Sequence, residues 1–195
     1  MSESSAPELP TRSSPADVEL LQRVAQRDEA AFAQLYEQFK TRVLNLSFRY
    51  VGNREDAEIA AQDAFLRVWN SAGKFRGSAQ VWTWIYRITV NVCLNVKAHK
   101  RIVNIELDDE VPAGLEHEPV DSHIRRQQEE IVREALESLP PDQRMATVLA
   151  RFEDMSYEQI AQTMGKSVRA VATLVFRAKE KLRDRLLPLQ RRGVI

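Results

Sequence analysis

The chain of 195 residues has a single cysteine, only three histidines and only six glycines. One cysteine excludes an internal disulfide. Flanked by Val92 and Leu94, Cys93 reads as a small buried hydrophobe, with a redox sensor as the minority reading. His99, His117 and His123 stand at no metal-ligand spacing and read as solvated, so no metal site is expected. No apolar run reaches the ~18 residues that span a bilayer. The N-terminus, MSESSAPELPTRSSP, has neither the basic start nor the apolar core of a signal peptide. The expectation is a cytoplasmic protein without membrane insertion. There is no Gly-rich phosphate loop, His-Cys cluster or nucleophile elbow, so neither an enzyme nor a cofactor is expected.

Net charge is also missing, but only in the sum. The chain holds 28 Lys and Arg against 28 Asp and Glu. From Lys74 to Arg101 there are six bases and no acid, and from Asn104 to Asp121 seven acids and no Lys or Arg. From Lys166 to Arg192 there are nine bases against two acids. Two basic segments separated by an acidic one suggest two nucleic-acid contacts in one chain.

What is present is helical periodicity, with no strand-like alternation. Residues 1–15 are rich in Ser and Pro and read as a disordered tail. Ser14-Pro15 then reads as an N-cap and first helical position. Asp28 caps a helix carrying Phe32, Leu35, Tyr36, Phe39, Val43, Leu46 and Tyr50, which Gly52 ends. Asn53, supported by Asp56, caps a third helix. On a wheel its Ala57, Ala61, Ala64, Phe65 and Val68 form the core side. The other side holds Glu55, Ile59, Gln62, Asp63 and Leu66, a mixed ridge suited to a partner helix.

A loop with Lys74, Phe75, Arg76 and Ser78 leads into a fourth helix over roughly 81–100. Arg87, Asn91 and Asn95 recur every four residues and share a face. Cations near a helix C-terminus suit the macrodipole, but that does not account for the absence of acids or for the Arg-Asn row. Such donors reach base edges and phosphates. Phe75 is either a stacking surface for an unpaired base or a buried loop anchor. Residues 102–123, acidic and with Pro112, Gly114 and Pro119, read as a flexible linker.

A second helical domain starts near Ile124. Its helices precede SYEQIAQTMGKSVRAVATLVFRAKEKL, which has the spacing of a helix-turn-helix. Ala161 is small where two helices approach, and Gly165 stands where the turn needs a positive φ. Val168, Val171, Val175, Ala178 and Leu182 share one face of the second helix, and Arg169, Thr173, Phe176 and Arg177 the other. That outer face suits a DNA major groove, with an ordinary helical hairpin as the alternative.

Four stretches in this order resemble a family. They are RDEAAFAQLYEQF (27–39), NREDAEIAAQDAFLRVW (53–69), KFRGSAQVWTWIYRITVN (74–91) and the segment from LPPDQR to FRAKEKLR (139–183). Over residues 18–187 the chain resembles the extracytoplasmic-function, group IV, sigma factors of the sigma-70 family. The resemblance implies an all-α protein of two small helical domains. Residues 16–101 would be sigma domain 2, 102–123 a linker threading the RNA exit path, 124–187 sigma domain 4, and 188–195 a tail. It implies binding to core RNA polymerase, at its clamp coiled coil and flap, to promoter DNA and to an anti-sigma factor.

By the same resemblance, Glu55, Glu58, Ile59, Gln62, Asp63 and Leu66 would dock on polymerase. Lys74, Phe75, Arg76, Ser78, Arg87, Asn91 and Asn95 would melt and read the −10 element. Lys166, Ser167, Arg169, Ala172, Thr173, Phe176 and Arg177 would read the −35 element. Ile59 stands where the family usually has an acid, Arg169 where the turn commonly has Gly, and Ala172 and Leu174 where basic residues are common. Fewer cations imply fewer phosphate contacts, hence an unusual −35 sequence or a weaker domain 4. A stand-alone helix-turn-helix regulator and a sigma-like adaptor without promoter specificity are the competing readings.

Overall fold

Local capping chemistry sets most helix boundaries. The computed structural model describes residues 14–77, 79–106 and 120–191 and, for 99–106, 120–126 and 129, the backbone alone. Ser78 and the segments 1–13, 107–119 and 192–195, which include most of the expected linker and both tails, lie outside the described residues, as do the side chains of the three histidines. Among the described residues the chain forms eight α-helices and one 3-10 turn.

Helix α1 (Pro15–Ala25) begins on Ser14, whose Oγ accepts from Asp17 N at 3.1 Å. Helix α2 (Glu29–Val51) begins on Asp28, which accepts from Ala31 N at 2.9 Å and pairs with Arg23 at 2.7 Å. It ends on Gly52 in the left-handed region, φ 91°. Helix α3 (Arg54–Ser71) is capped by Asn53, which accepts from Asp56 N and donates to the Asp56 carboxylate. A 3-10 turn (Ala72–Lys74) and a loop lead to α4 (Val81–Glu106). Helix α4 runs five residues past Arg101 into the segment read as linker.

Helices α5 (Val120–Glu137) and α6 (Pro141–Phe152) precede α7 (Tyr157–Met164) and α8 (Val168–Arg191). Helix α7 starts with a reciprocal capping box between Ser156 and Gln159 and ends on Gly165, φ 64°. Helix α8 continues through Pro188, beyond the expected end of the domain at residue 187. A proline there removes one amide donor near a helix end, where the helix tolerates it on an exposed face.

The core faces follow the wheels. Ala57, Ala61, Ala64, Phe65 and Val68 of α3 are buried, joined by Ala60. Helix α4 buries Val81, Trp82, Ile85, Tyr86, Val90, Val92 and Cys93. On α8, Val171, Val175 and Ala178 are buried, but Val168, expected on the same face, is 41% exposed at the first helical position. Tyr36 also departs from its periodic assignment: it is 41% exposed, lying edge-on to Phe65 with ring centroids 4.7 Å apart.

The two helical groups pack on one another. Helix α6 lies against α2, and α7 against α4. One continuous apolar core joins Leu35, Leu46 and Ile85 to Met145, Leu149 and Ile160, while a small satellite of Leu136, Leu139 and Ala178 ties α5 to α8.

Candidate nucleic-acid and partner interfaces

The outer ridge of α3 stands in solvent. Glu55, Glu58 and Gln62 are exposed, Asp63 is half-buried, and Ile59 and Leu66 are 54% and 61% exposed. Ion pairs along the helix fix two of its carboxylates: Arg54 to Glu58 at 2.8 Å and Arg67 to Asp63 at 2.9 Å. Pairs at this spacing contribute only ~0.3–0.5 kcal/mol, so they orient the carboxylates more than they stabilise the helix. Beside the ridge, Tyr36, Lys40 and Leu44 of α2 face Ala61, Gln62 and Phe65 of α3 across a groove of about 360 Å³. The sequence reading missed the α2 wall. Its one available signal was that Tyr36 and Lys40 are four residues apart.

The basic loop holds a second cluster. Phe75 is half-buried, edge-on to Trp84 with centroids 5.7 Å apart, so it is partly an anchor. Lys74 and Arg76 are exposed, and Gly77 turns the chain at φ 71°. Arg87, Asn91 and Asn95 form an exposed row on α4, as their spacing requires. Lys74, Arg76, Thr83 and Arg87 line an open cavity of about 360 Å³ that Gln162 of α7 also lines. Beneath the row, Cys93 is buried, its thiol donating to Ser47 Oγ at 3.6 Å, and burial pushes the thiol up to about 11.

In the helix-turn-helix, Gly165 lets the chain turn, with Lys166 N donating to Ala161 O at 2.9 Å. Ser167 caps α8 by accepting from Ala170 N at 3.2 Å. Arg169, Thr173, Phe176 and Arg177 are exposed on one face, with Phe176 63% exposed, and Ala172 is half-buried. The Thr173 hydroxyl donates back to Arg169 O at 2.9 Å. Lys166 is half-buried and pairs with Asp142 at 2.9 Å, so its charge is partly spent within the fold.

A third group of polar residues was not visible in the sequence. Arg49 of α2 donates to Glu153 Oε1 at 2.9 Å and to Phe152 O at 3.1 Å, and its guanidinium lies 4.8 Å from the Phe152 ring centroid. Tyr86 of α4 donates to Glu153 Oε2 at 2.7 Å. Burial raises the Glu153 carboxyl above its ordinary range, against the opposing hydrogen bond from Tyr86 and the charge of Arg49. Tyr86 is likewise raised, first by burial and then by Glu153. Arg144 of α6 donates to Leu136 O at 2.9 Å, to Glu137 O and to Tyr50 O at 3.1 Å. Lys97 of α4 pairs with Glu137 at 3.2 Å.

Comparison with known proteins covers both helical groups. The family model for sigma-70 region 2 matches residues 35–101, and that for sigma-70, region 4, matches 129–182. The RNA polymerase sigma-H factor of Pseudomonas aeruginosa is 32% identical over 185 residues, covering 90% of this chain and 96% of that one. The ECF RNA polymerase sigma-E factor of Escherichia coli K12 is 33% identical over 186 residues, covering 90% and 97%. Two solved structures share the fold. CnrH, in complex with the cytosolic domain of CnrY, matches with a TM-score of 0.64 at 24% identity, covering 87% of this chain and 96% of that one. The sigma factor RpoE of Bartonella quintana, in complex with the anti-sigma factor NepR, matches with a TM-score of 0.59 at 20% identity, covering 80% and 96%. Two ordered sigma-70 region matches and full-length relatives above 30% identity place this chain in the extracytoplasmic-function group of the sigma-70 family of RNA polymerase sigma factors.

Proposed function

We propose that this sigma factor docks on core RNA polymerase through the α3 ridge and directs it to promoters by two separate DNA contacts. Glu55, Glu58, Ile59, Gln62, Asp63 and Leu66 make the polymerase contact, and the groove walled by Tyr36, Lys40 and Leu44 extends it. Two large aliphatic side chains exposed among carboxylates on one helix face are the observation that carries this reading. Single exposed apolar residues are ordinary. A helix-spaced pair is what a helix-in-groove partner needs.

The loop and α4 serve the −10 element. Lys74, Arg76 and Arg87 supply cations for the backbone, Asn91 and Asn95 supply amide donors and acceptors, and Phe75 with Trp84 offers an aromatic platform. Capturing unpaired bases costs a few kcal/mol per base in unstacking, which stacking at ~1–3 kcal/mol per base offsets. The outer face of α8, Arg169, Thr173, Phe176 and Arg177, reads the −35 element, with Ser167 setting the start of the helix. The chain needs no catalytic group of its own, because polymerase performs the chemistry, and it works in the cytoplasm where polymerase and DNA are. An anti-sigma factor controls it, a reading supported by the two fold neighbours solved with partners. Core-binding and promoter-dependent transcription assays with the purified chain test the division of labour: changes on the α3 ridge should abolish core binding, and changes on α4 should abolish melting alone.

A further inference from the structure

We propose that the centre of the −35 contact is read through the 5-methyl groups of thymine, by the Thr173 methyl and the Phe176 ring. The inference deepens the −35 reading above and rests on it. On α8, Arg169, Ala172, Thr173, Phe176 and Arg177 fall within one arc of ~140°, taking 100° per residue. Thr173 and Phe176, at i and i+3, are neighbours on the helix surface. Both are exposed, and Ala172 is half-buried beside them.

The polar groups nearest the start of this face are already engaged. Lys166 pairs with Asp142 at 2.9 Å, and Ser167 Oγ accepts from Ala170 N at 3.2 Å. The Thr173 hydroxyl donates its one proton to Arg169 O at 2.9 Å. That bond fixes the side chain and leaves its methyl as the group free to meet a base. Phe176, 63% exposed, has no hydrogen-bonding atom in its side chain. Leu174 points elsewhere, packed against the core. Between Arg169 and Arg177 the helix therefore offers no side-chain N–H to a base edge. In the major groove, guanine, adenine and cytosine present hydrogen-bonding groups alone, whereas thymine adds an apolar methyl, which Ala, the Thr methyl and Phe contact. Arg169 and Arg177 bracket the patch, ~6 Å to either side of Thr173 along the axis. Cations around an apolar centre match a groove with anionic walls and methyl groups on its floor.

The test uses the full-length chain bound to core polymerase and a promoter duplex taken from its mapped transcript starts. Each thymine of the −35 element, on either strand, is replaced in turn by deoxyuridine, which removes the methyl and keeps every hydrogen-bonding group. Affinity is read by competition. Wild type should lose about fourfold for each contacted methyl, at neighbouring base pairs. Thr173→Ser keeps the hydroxyl and should erase the discrimination at one of them, and Phe176→Ala at the other. Both side chains are exposed, so the fold should be unaffected, which circular dichroism checks. Arg177→Ala should weaken the thymine and deoxyuridine duplexes alike and leave their ratio unchanged. Equal affinity for the two duplexes at every −35 position, a −35 element without thymine, or full discrimination retained by both Thr173→Ser and Phe176→Ala overturns the methyl readout. Specific transcription that persists with equal affinities removes the methyl readout and leaves the sigma-factor reading. A chain that yields no shared −35 element removes the sigma-factor reading, and the methyl readout with it.

Discussion

Lys166 Nζ lies 2.9 Å from Asp142 Oδ2, joining the turn of the helix-turn-helix to the first turn of α6. The lysine that stands nearest the start of α8 is therefore not a free cation. Its counterion already sits beside it before any phosphate arrives. Arg169 and Arg177, both exposed, carry no such partner among the described ion pairs.

This separates two substitutions that look equivalent in sequence. Arg177→Ala should reduce the slope of log affinity against log salt for −35 duplex binding by about one, the share of one released counterion. Lys166→Ala should change the slope by clearly less. Binding titrations of the holoenzyme from low to moderate salt check this. Equal changes for both would show that DNA displaces Asp142.

Leu66 is 61% exposed, so its replacement costs the fold little. Leu66→Asp should weaken core polymerase binding by tenfold or more, about 1.4 kcal/mol, with the melting temperature nearly unchanged. Competition of the variant against wild type for limiting core is the measurement. Unimpaired competition would remove Leu66 from the docking face.

Arg87→Ala with Asn91→Ala removes the centre of the α4 row. Open-complex formation, followed by permanganate reactivity of unpaired thymines, should fall, while binding to core stays intact. Loss of both would place the row in the polymerase interface.

Gly52 combines a left-handed φ of 91° with close approach by Glu137, whose Oε1 would clash with a Cβ built at this position. Glu137 is itself engaged by Lys97 and Arg133. Gly52→Ala should destabilise the chain by ~1–3 kcal/mol, from backbone strain and from displacing Glu137. Denaturant unfolding of the variant checks it.

Cys93 loses its proton near 9 when free and is pushed to about 11 by burial in the fold. Between those values the unfolded chain binds fewer protons than the folded one. Stability should therefore fall as pH rises from 9 to 11, by up to ~1.4 kcal/mol per pH unit from this group. Tyr50, raised to about 12 from 10, acts in the same direction at higher pH. Cys93→Ala, compared with wild type across this range, isolates the thiol share. A stability difference that does not change with pH would show that the thiol does not titrate in this way.

Much of the architecture is local and was legible for that reason. Ser14, Asp28 and Asn53 announce helix starts because their side chains accept the amides left over at a helix N-terminus. Gly52 and Gly165 announce ends because the left-handed region costs them nothing. The α3 wheel sorted buried from exposed residues, since one face of a helix must leave water. The same logic erred at Val168 and Tyr36. At the first turn of α8 the wheel has too few neighbours to cover a side chain, and Tyr36 lies on the rim of a groove that two helices form together.

The contacts between the helical groups were not legible. Arg49, Tyr86 and Glu153 are separated by 67 and 104 positions along the chain in their bonds to Glu153, and no periodicity links them. A buried carboxylate is indistinguishable in sequence from a solvated one. The packing of α7 on α4 is equally silent, because the residues that meet there read as ordinary core positions of separate helices. Of the candidate sites, the surfaces were visible as charge and spacing, but the partial spending of Lys166 and the second wall of the α3 groove required the fold.

The most direct test of the central claim is transcription from fragmented genomic DNA by core polymerase supplied with this chain, with transcript starts mapped by sequencing. Starts that share two upstream elements about one and a half helical turns apart, and that vanish with the Leu66→Asp chain, are the predicted result. Bound core polymerase that yields no shared upstream elements would contradict a promoter-directing role and favour an adaptor.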